Sequence, residues 1–201
     1  SSDAETNDER IITNPQEYLR WCQSIKKIKV MDEANPLNPR IYLKDISLHK
    51  KGPLEDKLYS KNKMYYLNIR RGNTLCELYD EQQQPIDLFF CRRGMMKFYD
   101  MCPEYLQLGT RLTYQHQLYR NVIFQEVDEV LKVGGAVLHL YALFKENGEH
   151  CQIGYIAKLN MWLIASKNVT IILEKEEDLE AYQKERFYWA KLIARQFLKQ
   201  L

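Results

Sequence analysis

No two cysteines in this chain are spaced C-x-x-C, and the five present (Cys22, Cys76, Cys91, Cys102 and Cys151) are odd in number. Both facts argue against a disulfide framework and a cysteine-based zinc site, and they point to a reducing, intracellular compartment, cytoplasmic or nuclear. Membrane-length apolar runs are missing as well. The first ten residues are polar and acidic, unlike a secretory or mitochondrial leader. Strong net charge is also lacking: 29 Lys and Arg against 27 Asp and Glu leave +2. No global basic field advertises nucleic-acid binding, so an anion site must come from local clustering of Lys and Arg. His49, His116, His139 and His150 show no metal-ligand spacing. There is no internal repeat and no low-complexity tract.

What is present suits one mixed domain: 201 residues, 45% hydrophobic and 28% charged, with 14 tyrosines that serve strands and base or sugar contacts equally well. Residues 1–13 read as a flexible tail and 14–201 as the folded domain. Asn14-Pro15-Gln16-Glu17 looks like a helix cap with proline at the first helical position. Tyr18, Leu19, Cys22, Ile25 and Ile28 continue as an apolar stripe that Asn35-Pro36-Leu37-Asn38-Pro39 ends. Residues 40–48 alternate as a strand, 50–53 read as a loop, and 59–63 as a polar, exposed stretch. Residues 64–90 read as strands joined by polar turns. Residues 103–120 look irregular or partly helical, and 122–144 lead through Gly134-Gly135 to a three-strand stretch around Lys145. Residues 177–201 have helical apolar spacing with a basic face. Met95, Met96 and Met101 read as gap-filling core, His139 as a core histidine and Trp162 as packing.

The residues that carry chemistry come in a fixed order along the chain. They are Arg71-Gly72, then Arg92 with Arg93, then Lys97-Phe98-Tyr99-Asp100, then Lys145-Glu146-Asn147-Gly148, then Ser166-Lys167-Asn168. Taken singly, each has a plain reading. Arg and Lys at strand ends are usually solvated, and Asn-Gly between alternating apolar runs is a hairpin turn. Their joint order resembles the RNA ligases of the phage T4 RNA ligase 1 type, a branch of the covalent nucleotidyltransferases that also includes fungal tRNA ligases. That pattern is an Arg-Gly before an apolar strand, an acidic turn, "R-P-x-x-K-F-F-N", the nucleophile motif K-x-D/N-G and a strand closing in S-K. The likeness covers roughly residues 60–200. Arg93 replaces the proline, Asp100 the asparagine, and Asn147 stands where aspartate is commoner.

The resemblance implies an α+β fold of mostly antiparallel sheets with flanking helices, an ATP-grasp-like nucleotidyltransferase adenylation domain. Its later motifs are not found here, so the chain is expected to be the N-terminal portion of that domain, incomplete at its C-terminus. It implies Lys145 as the nucleophile and Arg71, Gly72, Lys97, Glu146, Asn147, Gly148 and Lys167 as ATP-binding residues. ATP and Mg2+ are the implied cofactors, and RNA with 5′-phosphate and 3′-hydroxyl ends is the implied partner. The chemistry suits the residue types: a lysine attacks phosphorus only when neutral, and neighbouring cations lower its pKa. Arg71 and Lys97 suit the charge that builds on a leaving pyrophosphate. Glu146 serves the adenine or the turn, or is a solvated carboxylate. Two other readings stand beside this one: a capping or DNA-ligase-like nucleotidyltransferase, and a non-catalytic nucleic-acid-binding domain in which Asn147-Gly148 is only a turn.

Overall fold

A computed structural model describes residues 10–49, 53–97 and 148–200. They belong to one compact unit built from Ser1–Lys97 and Gly148–Leu201; Phe98–Asn147 lie outside the described residues. Among the described residues the architecture is α+β, with two antiparallel sheets and flanking helices. The first sheet runs in chain order: β1 (Ile28–Asn35), β2 (Asn38–Leu48), β3 (Asn73–Tyr79) and β4 (Pro85–Arg92). The second is a three-stranded meander: β5 (Gln152–Ile156), β6 (Met161–Ala165) and β7 (Thr170–Leu173).

Side-chain alternation decides how these sheets pack. Ile41 and Leu43 of β2 and Cys76 of β3 meet Met161, Leu163, Ala165 and Ile172 in one core between the sheets. The intervening Ile164, with Ile171 and Leu173, points the other way into a second core. Strands β6 and β7 are thus buried on both faces, which is why Met-Trp-Leu-Ile-Ala and Thr-Ile-Ile-Leu show almost no polar alternation. The second core is closed by Leu179, Tyr182, Phe187, Ala190 and Ala194 from the C-terminal segment. On the outer face of the first sheet lies α1 (Pro15–Ser24). Its Asn14 cap accepts from the Glu17 N–H at 2.9 Å, and Tyr18 packs on Phe90 with ring centroids 5.0 Å apart. Within the segment expected as a tail, Ile12 is buried and its N–H donates to Asn68 Oδ1 at 2.7 Å.

Several expected elements differ. The α1 stripe does not run on to Asn35: the helix ends at Ser24, and Ile28 opens β1. There β1 pairs with β2, and Asn35–Asn38 makes the hairpin. Tyr59 is buried, within α2 (Pro53–Lys61), and residues expected to start a strand at Met64 form α3 (Lys63–Asn68). The Asn62 side chain caps α3 through the Tyr65 N–H, a local bond that the strand reading overlooked. Met95 is 55% exposed instead of core. The C-terminal helix is shorter than its spacing implies: Glu176–Ala181 and Glu185–Phe187 are 3-10 turns, and only α4 (Tyr188–Leu198) is α-helical. The first of these is fixed by the Asp178 carboxylate, which accepts from the N–H groups of Glu174 and Lys175. The chain then turns so that the Tyr182 hydroxyl reaches the sheet. Expectations over 50–52, 103–144 and Met101 lie outside the described residues. No helix among the described residues is long and apolar enough to cross a membrane.

Tyr182 donates to the Ile172 carbonyl at 2.6 Å and accepts from the Ile172 N–H at 3.2 Å, with Asn35 Oδ1 3.1 Å away. Tyr182→Phe is expected to keep the ring packing and lose about 1–3 kcal/mol, the cost of stranding buried polar partners. Urea unfolding followed by far-ultraviolet circular dichroism measures it; a change below a few tenths would mean that these bonds contribute nothing.

Candidate anion-binding site

Arg92 closes β4 where the ladder with β3 is irregular: Thr74 pairs with Arg92 and Leu75 with Phe90. That irregularity turns the arginine into the space between the sheets, where it is only 2% exposed. Its Nε donates to Gln152 Oε1 at 2.9 Å, Nη1 to Thr170 Oγ1 at 3.2 Å, and Nη2 to the Ser166 carbonyl at 2.7 Å. The Lys167 carbonyl is 3.5 Å from Nη2. One planar guanidinium therefore holds β4, the start of β5 and the β6–β7 turn together. Burial pulls its pKa down to about 10, against the pull of Asp45, so it stays charged at neutral pH.

Beneath that guanidinium lies Gly72. A Cβ at this position would sit 2.0 Å from Arg92 Nη2, and the backbone has φ +97°. Both constraints select glycine. The backbone of the adjoining Arg71 is held as well: its N–H donates to the Met95 carbonyl at 2.9 Å, and Gly94 leaves room for its carbonyl, which a Cβ there would approach to 1.9 Å. The Arg-Gly step is thus pinned from two sides, by a buried arginine and by the chain that follows β4.

Asp45 supplies the countercharge behind this hub. It accepts from Thr74 Oγ1 at 2.9 Å, from the Thr170 N–H at 3.3 Å and from Arg186 Nη2 at 3.0 Å. The Thr74 and Thr170 hydroxyls are 2.8 Å apart. Burial pushes the Asp45 carboxyl up from its usual value; Thr74, Arg186 and Thr170 oppose it.

In front of the hub is His150, half-buried and two residues beyond Gly148. Burial holds its imidazole below the usual range, and Arg92, Arg71 and Lys167 add to the effect. Its Nε2 is enclosed and has no hydrogen-bond partner among the described residues. Lys167, in the turn between β6 and β7, pairs through Nζ with Glu55 Oε2 of α2 at 3.3 Å. Arg93 stacks 3.8 Å above the Phe90 ring; burial, and after it the neighbouring Arg70, lower its pKa. The surroundings of His150 are rich in positive charge. Such a place favours an anion, and a polyphosphate above all.

No family model, curated protein or solved structure matches the chain. The fold and the site therefore speak through their own geometry. Of the residues singled out from sequence, Arg71, Gly72 and Lys167 converge on Arg92 and His150. Lys97 is half-buried, two residues after the Met95 bridge to Arg71. Gly148 is exposed with open space around its Cα. Lys145, Glu146 and Asn147 lie outside the described residues. Sequence reasoning set His150 aside for want of metal-ligand spacing, and did not find Gln152 or Asp45. The signal for His150 was its place two residues past the Asn147-Gly148 pair. Among the described residues, no group of three or more His, Cys, Asp or Glu is placed to hold a metal ion.

Two outcomes follow from this geometry. Arg92→Lys keeps the charge but loses the fork, leaving Gln152, Thr170 and the Ser166 carbonyl with at most part of their bonding; a loss of about 3 kcal/mol or more in denaturant unfolding is expected. A drop under 1 kcal/mol would show the fork to be dispensable. For His150 the folded pKa lies below the unfolded one, so its contribution is fully present above the unfolded value of about 6.5 and is lost as pH falls through the folded value. Stability of the wild type should therefore fall more steeply below pH ~6.5 than that of His150→Gln; parallel curves would contradict it.

Proposed function

We propose that this chain is the adenylylation portion of an ATP-dependent RNA ligase that works through a lysyl-AMP on Lys145. The single observation that carries the reading is the convergence of Arg71-Gly72 and Ser166-Lys167, motifs about a hundred residues apart in sequence, on one buried arginine and one histidine. That is the charge arrangement needed to receive the phosphates of a nucleotide. The two-sheet α+β architecture is compatible with a nucleotidyltransferase core.

In this reading the neutral Lys145 amine attacks the α-phosphorus of ATP. A P–N bond forms as the bond from that phosphorus to its bridging oxygen breaks, and pyrophosphate leaves with the electron pair. Arg71, Lys97 and Lys167 stabilise the charge that grows on the leaving group, and Gly148 leaves room for close approach of the nucleotide. The AMP then passes to an RNA 5′-phosphate, freeing the lysine, and a 3′-hydroxyl attacks that activated end with release of AMP. The described residues are cationic where phosphates are proposed to bind, so Mg2+ fits on the phosphate oxygens of the nucleotide better than on protein carboxylates.

The test is intact-protein mass spectrometry of this chain, and of a version extended at its C-terminus, after incubation with ATP and Mg2+. An AMP adduct is expected on the extended protein and not on its Lys145→Ala variant. A folded extended protein that takes up no AMP would overturn the reading and leave Lys145 as a turn residue.

A further inference from the structure

Residues 10–13 form neither helix nor strand, yet side chains from two distant elements grip them. Ile12 is 3% exposed between the exposed Ile11 and Thr13. The Asn68 side chain, at the end of α3, meets the backbone on either side of Ile11. Its Oδ1 accepts from the Ile12 N–H at 2.7 Å, and its Nδ2 donates to the Arg10 carbonyl at 2.9 Å. A neighbouring parallel strand would offer the same two groups. Nδ2 gives its second proton to the Met64 carbonyl at 3.1 Å, which fixes the orientation of the amide. The Ile12 carbonyl accepts from Arg93 Nη2 at 2.9 Å, and Arg10 pairs with Glu17 of α1. Both grips continue into the candidate site. The Arg93 carbonyl accepts from Gln152 Nε2 at 3.2 Å, and Gln152 Oε1 accepts from Arg92 Nε at 2.9 Å. The Asn68 carbonyl accepts from Asn73 Nδ2 and from the Tyr18 hydroxyl, each at 2.9 Å, and Asn73 Oδ1 accepts from the Gly94 N–H at 3.2 Å. The two routes meet on residues 92–95. That segment lays the Arg92 guanidinium against Gly72 and holds the Arg71 N–H on the Met95 carbonyl.

We propose that Arg10–Ile12 is a positioning strap for the candidate site: seated against Asn68 and Arg93, it holds residues 92–95 in the conformation that fixes the Arg71-Gly72 step, and its release loosens that step. Ile12, Asn68 and Arg93 are positioning residues that act through the backbone of residues 92–95 and through Gln152. The strap is suited to opening by itself. It is seated by three bonds to side chains and one buried anchor, with no strand ladder of its own, so it can leave its seat without unfolding either sheet. Opening removes the acceptor that holds the Arg93 side chain and the two backbone groups that hold the Asn68 amide. Arg93 and Asn68 are the first members of the two routes to residues 92–95, so both routes slacken together. The inference stands apart from the ligase reading, because it concerns how the Arg-Gly step is held, whatever the site binds.

The experiment is native-state hydrogen exchange of the full chain, followed by NMR in low concentrations of urea and without nucleotide. In the wild type the N–H groups of Ile12, Gly94 and Arg71 should exchange through one shared opening, with protection factors within about tenfold of one another. That opening should depend on urea much more weakly than exchange of the β6 amides, which report unfolding of the second sheet. Ile12→Ala removes most of the anchor and should lower protection at Gly94 and Arg71 by about tenfold or more. Two results would overturn the proposal. One is protection at Gly94 and Arg71 that Ile12→Ala leaves unchanged. The other is exchange of Gly94 and Arg71 with the steep urea dependence of β6 while Ile12 exchanges freely, which would show that the step stays closed when the strap is open. The wild-type urea series decides the matter even if the variant fails to fold. An AMP adduct on Lys145 bears on neither result, so the strap and the ligase reading stand or fall separately.

Discussion

A single buried guanidinium holds this domain together. Two antiparallel sheets packed through apolar side chains have no inherent register with one another, because dispersion and the hydrophobic effect are non-directional. Arg92 supplies direction. Its fork meets a side-chain amide, a hydroxyl and a carbonyl, and the charge that makes those bonds strong is balanced by Asp45 on β2, two strands away in the same sheet. Taking a charge out of water is unfavourable unless every donor is used. Here each of the three guanidinium nitrogens has a partner, and the result is a specified meeting of β4 with the second sheet.

The site inherits its geometry from that meeting. Gly72 is glycine because the guanidinium lies against it, so an Arg-Gly motif that looks like a ligand loop is first a packing requirement. Lys167 is carried by the turn whose carbonyls Arg92 holds. His150 sits two residues before Gln152, the amide that Arg92 grips. Three segments far apart in sequence are thus brought to one place by one side chain, and the charge they share follows from that placement. A structural arginine and an electrostatic site are here the same object.

How much of this was legible in the sequence varied with how local the cause was. The Asn14 cap and Pro15 announce α1 because capping is a contact between near neighbours. Residues 40–48 read as a strand because alternation is a local pattern, whereas the burial of Met161–Ala165 and Thr170–Leu173 on both faces shows only once the two cores are assembled. The end of α1 was not legible: Ile28 continues the helical spacing of Ile25, and only pairing with Leu48 makes it a strand residue. Residues 176–187 carry helical spacing too, but Tyr182 is drawn to Ile172 and breaks the helix, a long-range demand with no local mark. The order of basic motifs pointed toward an anion site. The convergence of Arg71 and Lys167 through Arg92 did not show, since nothing in a string of residues says that an arginine is buried.

The C-terminal turn bears on where this domain ends. Arg186, on the second 3-10 turn, joins Asp45 in β2 to Glu33 in β1, and Lys184 also pairs with Glu33. Asp45 in turn backs the Thr74–Thr170 contact between the sheets. Residues that look like a connector to a terminal helix are therefore part of the electrostatic interior. A domain boundary drawn before residue 186 would leave a buried carboxylate without its cation and open the second core at Phe187, so the C-terminal helix is an integral layer of this fold and not an appendage to it.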